Sequence, residues 1–234
     1  MSHDCNLRCK YCFASTGDFG TGRKTMPPEI AKKAIDFVIE KSGARQNIEV
    51  DFFGGEPLMA METVRQTVDY ARSIEKQHKK HFRFTITTNG VGLNDENIEY
   101  INREMANCVL SLDGRPEVND KNRVTPAGGG SYDIILPKFQ KLLQSRGKDR
   151  DYYVRGTFTR DNLDFAEDVL HIADQEMCIR DRIQGGEKIM EQKKEKGLRI
   201  RSCLTGAIWL ALVFSTVISA LWEKRKDIPP PLPL

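Results

Sequence analysis

Three cysteines crowd into eight residues near the start of this 234-residue chain, spaced Cys5-x3-Cys9-x2-Cys12. A loop this short presents three thiolates together, enough to hold three corners of a cubane iron–sulfur cluster and to leave its fourth iron open. The rival chemistry is structural zinc, which takes four protein ligands in a tetrahedron, with His3 as the fourth. Three disulfides from the six cysteines fit the crowding poorly, since clustered cysteines read as a metal site. Met1-Ser2-His3-Asp4 has no apolar segment of a secretory signal, so the expected setting is a reducing cytoplasm. Cys108, which sits apart from the triad, reads as a small buried hydrophobe.

Further chemistry sits in four short motifs: Gly54-Gly55-Glu56-Pro57, Thr88-Asn89-Gly90, Ser111-Leu112-Asp113-Gly114 and the run from Arg155 to Arg160. Glycines let the backbone approach a ligand closely, and carboxylates and amides orient it through hydrogen bonds. Each motif needs an element to hold it. From about residue 27 to 175 short β-branched or aromatic runs alternate with amphipathic stretches, which predicts a βα repeat. A helix opens at Pro27-Pro28 and ends at Gly43; strand 48–53 follows, then a helix marked by Val64, Val68, Ala71 and Ile74. Strand 82–88, a helix capped by Asn94 and running through Tyr100, and strand 108–112 come next. Beyond an insertion with Pro126 and Gly128 to Gly130 lie helix 131–144, strand 152–158 and helix 163–174. Every motif falls at or just after the C-terminal end of a strand, the rim on which βα barrels carry their chemistry. Four strands are too few to close a barrel, so the expectation is a parallel sheet curled as part of one.

The string Cys5-Asn6-Leu7-Arg8-Cys9-Lys10-Tyr11-Cys12-Phe13 resembles the signature of radical S-adenosylmethionine (SAM) enzymes, with an aromatic residue before the last cysteine. The resemblance implies an α/β fold, a partial (βα)6 TIM-like radical SAM barrel. It also implies a [4Fe-4S] cluster on Cys5, Cys9 and Cys12 with SAM on the open iron. In that family one electron passes into SAM, giving methionine and a 5′-deoxyadenosyl radical that abstracts hydrogen from substrate. By the same resemblance Gly54, Gly55, Glu56 and Pro57 receive the SAM amino group, with Glu56 as hydrogen-bond acceptor. Ser111 and Asp113 lie on the ribose side, Arg155 pairs with the SAM carboxylate, Tyr11 and Phe13 flank the adenine, and Asn89 joins the cofactor-binding set. No residue is assigned as catalytic acid or base. More narrowly, residues 3–175 resemble the SPASM-type peptide maturases that form thioether links in six-cysteine precursor peptides. This implies a peptide substrate and an electron donor such as a flavodoxin or ferredoxin.

The likeness stops near Gln175, so residues 1–175 are expected to be the radical SAM core. That core is expected to be incomplete at both ends, with exposed sheet edges that favour aggregation and lower activity. Residues 177–182, Met-Cys-Ile-Arg-Asp-Arg, read as a translated transposon mosaic end from sequencing-library preparation, and residues 176–202 as adapter-like and charged linker foreign to the native gene. Residues 203–222 are twenty uncharged residues, long enough for a transmembrane helix, and would anchor the chain if the tail is genuine. Residues 223–234, with four prolines, are expected to be an extended, disordered end. The formal charge of +3 comes from this tail: residues 183–234 hold nine basic against five acidic side chains, leaving 27 against 28 before them. Nucleic acid is therefore excluded as a partner of the core. The alternative functions are a zinc-binding interaction module or a single-pass membrane protein.

Overall fold

Period-two alternation of apolar and polar residues decides the sheet. In the computed structural model, which describes residues 1–160 and 162–177, the strands are β1 (Asn47–Phe52), β2 (His81–Thr88), β3 (Met105–Ser111) and β4 (Asp151–Arg155). All pairings are parallel and the order is β1-β2-β3-β4, with Ile48 opposite Phe82, Ile86 opposite Cys108 and Ser111 opposite Arg155. Sequential parallel neighbours require a crossover after each strand, as in the wall of a βα barrel.

Those crossovers are α2 (Met61–His78), α3 (Asp95–Glu104) and the pair α4 (Pro116–Asn122) and α5 (Tyr132–Gln144); α1 (Pro28–Lys41) precedes β1 and α6 (Phe165–Ile172) follows β4. The apolar sheet face lies in one core with the helices. Phe52, Phe84, Ile86 and Leu110 are buried together with Val64, Val68 and Ala71 of α2, Ile101 of α3, and Ile135 and Phe139 of α5. The rings of Phe52, Phe84 and Phe82 stack at 5.6 and 6.0 Å between centroids. Alternation turns Glu49, Asp51, Arg83, Thr85, Thr87, Asn107, Tyr153 and Arg155 to the opposite face. There a cavity of about 250 Å³ is lined by Glu49, Arg83, Thr85, Asn107, Asp151 and Tyr153.

Several boundaries differ from those expected. Strand β3 begins at Met105 rather than Cys108 because α3 runs on past Tyr100 to Glu104 and passes directly into it. Strand β4 stops at Arg155, where Arg155 O still accepts the N–H of Leu112 at 3.0 Å. Helix α6 spans only Phe165–Ile172 and continues as a single π turn. Helix α4 lies in the stretch expected to be an irregular insertion, with Pro116 at its first position. Among the described residues no helix is long and apolar enough to cross a membrane. The expectations for residues 178–234, including the apolar stretch 203–222 and the proline-rich end, lie outside the described residues.

Candidate iron–sulfur site

The segment that leads into the cysteines is laid against the end of β1. The Met1 ammonium donates to Phe53 O at 2.7 Å, Gly55 N to Ser2 O at 2.7 Å and Glu56 N to Asp4 O at 2.8 Å. On its other side Met26 N donates to Met1 O and His3 N to Lys24 O. Residues 1–4 therefore lie alongside the chain leaving β1, and Gly54-Gly55 is the crossing point. A Cβ added at either glycine would meet the backbone of this segment, Ser2 at Gly54 and Asp4 at Gly55.

From Cys5 the loop passes over the C-terminal ends of β2 and β3. Leu7 anchors it at 1% exposure. Arg8 N donates to Val124 O at 2.7 Å and Lys10 N to Asn122 O at 3.0 Å, so the loop is stitched to the end of α4 and the chain just after it. Tyr11 Oη donates to Asp113 Oδ2 at 2.5 Å, while Asp113 Oδ1 accepts from Arg123 Nε and Thr157 N, both at 3.0 Å. The Arg123 guanidinium also lies 5.6 Å from the centre of the Tyr11 ring. Asp113, at 3% exposure, is thus a hub joining loop, α4 segment and the chain beyond β4.

Cys5, Cys9 and Cys12 are all free and half-buried. Burial pushes the Cys5 thiol up to about 11, opposed by the Leu7 N–H and reinforced by the negative ends of Glu56, Cys9 and Cys12. Burial also raises Cys9, against the pull of the Arg123 cation. Three thiolates here repel one another, and positive iron among them is the chemistry that reverses that cost. The donor set therefore fits a cluster.

Glu56 is the second hub, 1% exposed. Its Oε1 accepts from Leu58 N at 3.0 Å and Thr88 Oγ1 at 2.8 Å, and its Oε2 from Asn89 N at 2.8 Å. Burial nonetheless raises its pKa above the usual carboxylate value. Asn89 Nδ2 reaches Cys5 Sγ at 3.5 Å and Asn6 Oδ1 at 2.8 Å. Of the other expected residues, Pro57 opens a buried 3-10 turn and Ser111 ends β3 at 9% exposure. Arg155 is exposed, and its positive charge opposes the burial that raises Asp51. Phe13 is exposed and stacks on Phe53, 6.1 Å between centroids. The Tyr11 hydroxyl is turned to Asp113. Arg123, Thr157 and Asn6 are not assigned roles by the sequence: Arg123 falls in no motif, Thr157 lies unassigned within the run from Arg155 to Arg160, and Asn6 sits between two cysteines.

The zinc alternative would need His3 beside the three cysteines. His3, its fourth ligand, holds Thr21 Oγ1 at 2.9 Å and lies against the Phe19 ring. Among the described residues no group of three or more His, Cys, Asp or Glu side chains is placed to hold a metal ion. A cubane does not ask that convergence of its ligands, because each thiolate takes a different iron.

A three-cysteine loop braced across the C-terminal rim of a parallel α/β sheet defines a cluster-binding α/β protein. The chain belongs to the family of 4Fe-4S single cluster domains, whose model matches residues 1–136. It is similar to the cysteine-type anaerobic sulfatase-maturating enzyme of Clostridium novyi, 28% identical over 149 residues, covering 60% of this chain and 38% of that protein. It is also similar to the radical SAM cyclopropyl synthase TigE of Paramaledivibacter caminithermalis, 26% identical over 187 residues, 74% of this chain and 37% of that one. Its fold matches the solved structure described as native anSMEcpe with bound AdoMet and Kp18Cys peptide, with a TM-score of 0.65 at 19% identity over 75% of this chain and 46% of that one. The chain thus spans less than half the length of each of these proteins.

Proposed function

We propose that this chain carries the cluster-binding part of a radical SAM enzyme that abstracts hydrogen from a ribosomally made peptide, in the manner of the thioether-forming maturases. The observation that most supports this reading is the cysteine loop, tied to the ends of three strands by Gly55, Asn89 and Asp113. Its relatives' names, a sulfatase-maturating enzyme and a radical SAM synthase, point the same way. When bound on Cys5, Cys9 and Cys12, a [4Fe-4S] cluster supplies the electron that cleaves SAM.

The chain's own residues bind and orient. Glu56 has three of about four acceptor positions filled and takes the SAM ammonium on the remaining one, beside the Gly54 to Pro57 backbone. Ser111 meets the ribose, and Asp113 acts from behind it by fixing Tyr11 and Arg123. Phe13 offers an exposed ring to the adenine, and Arg155 on the polar sheet face takes the carboxylate. That polar face, below the loop, is the track along which the peptide lies. A flavodoxin- or ferredoxin-type protein is the electron donor, the setting is cytoplasmic, and residues 176–234 stand outside the enzyme.

Anaerobic reconstitution with iron and sulfide, followed by dithionite and SAM, should release 5′-deoxyadenosine. The Cys9→Ala variant should lose most of its iron and release none. Stoichiometric zinc uptake in place of iron and sulfide, without SAM cleavage, would overturn the reading.

A further inference from the structure

Asn89 follows directly on β2, and its whole amide is engaged. Its Oδ1 accepts the N–H of Val91 at 3.0 Å, closing a turn of its own backbone. That acceptor fixes the orientation of the amide, so the group turned toward the cysteine loop is the Nδ2 donor, 3.5 Å from Cys5 Sγ and 2.8 Å from Asn6 Oδ1. The backbone N–H of Asn89 is held in turn by Glu56 Oε2, itself a buried carboxylate locked by Thr88 and Leu58. Cys5 Sγ accepts a second N–H, from Leu7, at 3.4 Å. One of the two donors comes from the cysteine loop itself; the other arrives from a strand end 84 positions away. Only the second ties the sulfur to the sheet, and only the second can be removed by changing a side chain.

A donor aimed at a cluster-bound sulfur draws charge from it and favours the reduced, more negative state, and hydrogen bonds to the sulfurs are among the levers that set cluster potentials. Resting on the function proposed above, we propose that Asn89 is a positioning residue which fixes Cys5 and raises the reduction potential of the cluster through its Nδ2–H···Sγ bond, with Glu56 holding it in place. This gives Asn89 a role on the protein side of the cluster instead of a contact to SAM.

Two substitutions separate this from a general structural role. Asn89→Asp keeps the shape and the acceptor for Val91 but removes the donor; Asn89→Ser keeps a short acceptor and loses the reach to Cys5. The full chain and both variants are reconstituted anaerobically with ferrous iron and sulfide, and iron content and midpoint potential are measured, the latter by dye-mediated titration followed by absorbance and electron paramagnetic resonance. Both variants should still assemble a cluster, with midpoints shifted to more negative potential, further in Asn89→Asp because a charge is added. Unshifted midpoints in both, or loss of the cluster from both, would overturn the assignment while leaving the proposed function standing. Failure of the unaltered chain to assemble a cluster would overturn the two together.

Discussion

A Cβ added at Gly55 would stand 2.2 Å from Asp4 O and 2.9 Å from Gly17 O, both backbone atoms that cannot swing aside. Gly55→Ala must therefore push the lead-in segment off the end of β1, at a cost of about 1–3 kcal/mol typical of overpacking. Because Cys5 follows Asp4 directly, iron uptake should fall with it. Gly129→Ala is the control: its Cβ would meet only Thr125 Oγ1, at 3.5 Å. Urea denaturation and iron analysis of the two variants should separate them, and equal behaviour would remove the glycine from the brace. Cys108 offers a second test at this scale. It is fully buried on the apolar face of β3, and burial pushes its thiol from 9.0 up to about 11, relieved in part by Arg146. A raised thiol pKa means that the folded chain keeps a proton the unfolded chain releases, so its contribution to stability is intact below about pH 9 and is lost as pH rises toward 11. At 1.36 kcal/mol per unit, the loss is about 2–3 kcal/mol. Cys108→Ala should begin less stable, having lost buried volume, and decline less steeply over that interval in denaturation curves taken at successive pH values.

Helix α5 depends on a cap from another element. Ser131, at its N-terminus, makes no side-chain cap of its own. Asp120 of α4 fills the role, its Oδ1 accepting the N–H groups of Ser131 and Tyr132, both at 2.8 Å. Asp120→Ala should cost about 0.5–2 kcal/mol, the range for a lost N-cap, and Asp120→Asn should recover most of it. Thermal unfolding of the two variants measures this, and an unchanged midpoint in Asp120→Ala would refute the cap. The same helix shows how far sequence reading reaches. Its apolar period is plain, and Ile135, Phe139 and Leu142 are fully buried as that period requires. Its cap is invisible, because α4 hides among Pro, Gly and polar residues and because the contact spans eleven positions. The site divides in the same way. The cysteine spacing, Glu56 and Asp113 are legible because each lies in a compact motif at a strand end. Arg123 and the crossing of residues 1–4 over Gly54 and Gly55 are tertiary facts, fixed only when the loop closes on the sheet.

Over the whole molecule the sheet has two unlike faces, although parallel sheets usually bury both. One face is apolar and covered by helices; the other carries Asp51 and Arg155 and a cavity lined by Glu49, Arg83, Thr85, Asn107, Asp151 and Tyr153. On this face Arg83 lies 3.9 Å from Glu49 and 4.0 Å from Asp151, separations worth little in solvent. The buried apolar contacts lie on the helical side, and they are not shared equally among the strands. Strands β2 and β3 have partners on both sides and bury Phe82, Phe84, Ile86, Cys108 and Leu110 almost completely. Strand β4 is an outer strand among the described residues, and no residue from Asp151 to Arg155 is fully buried. Opening free energies rise with buried apolar contact and fall where backbone bonds face solvent. Amide hydrogen exchange should accordingly be slowest in β2 and β3 and fastest in β4. Because Arg155 and Thr157 sit on or just beyond β4, the part of the rim they form should open on the same fast timescale, while the Glu56 and Asn89 side stays closed with β2. Exchange in β4 as slow as in β2 would mean that the polar face adds stability which its long ion pairs do not account for.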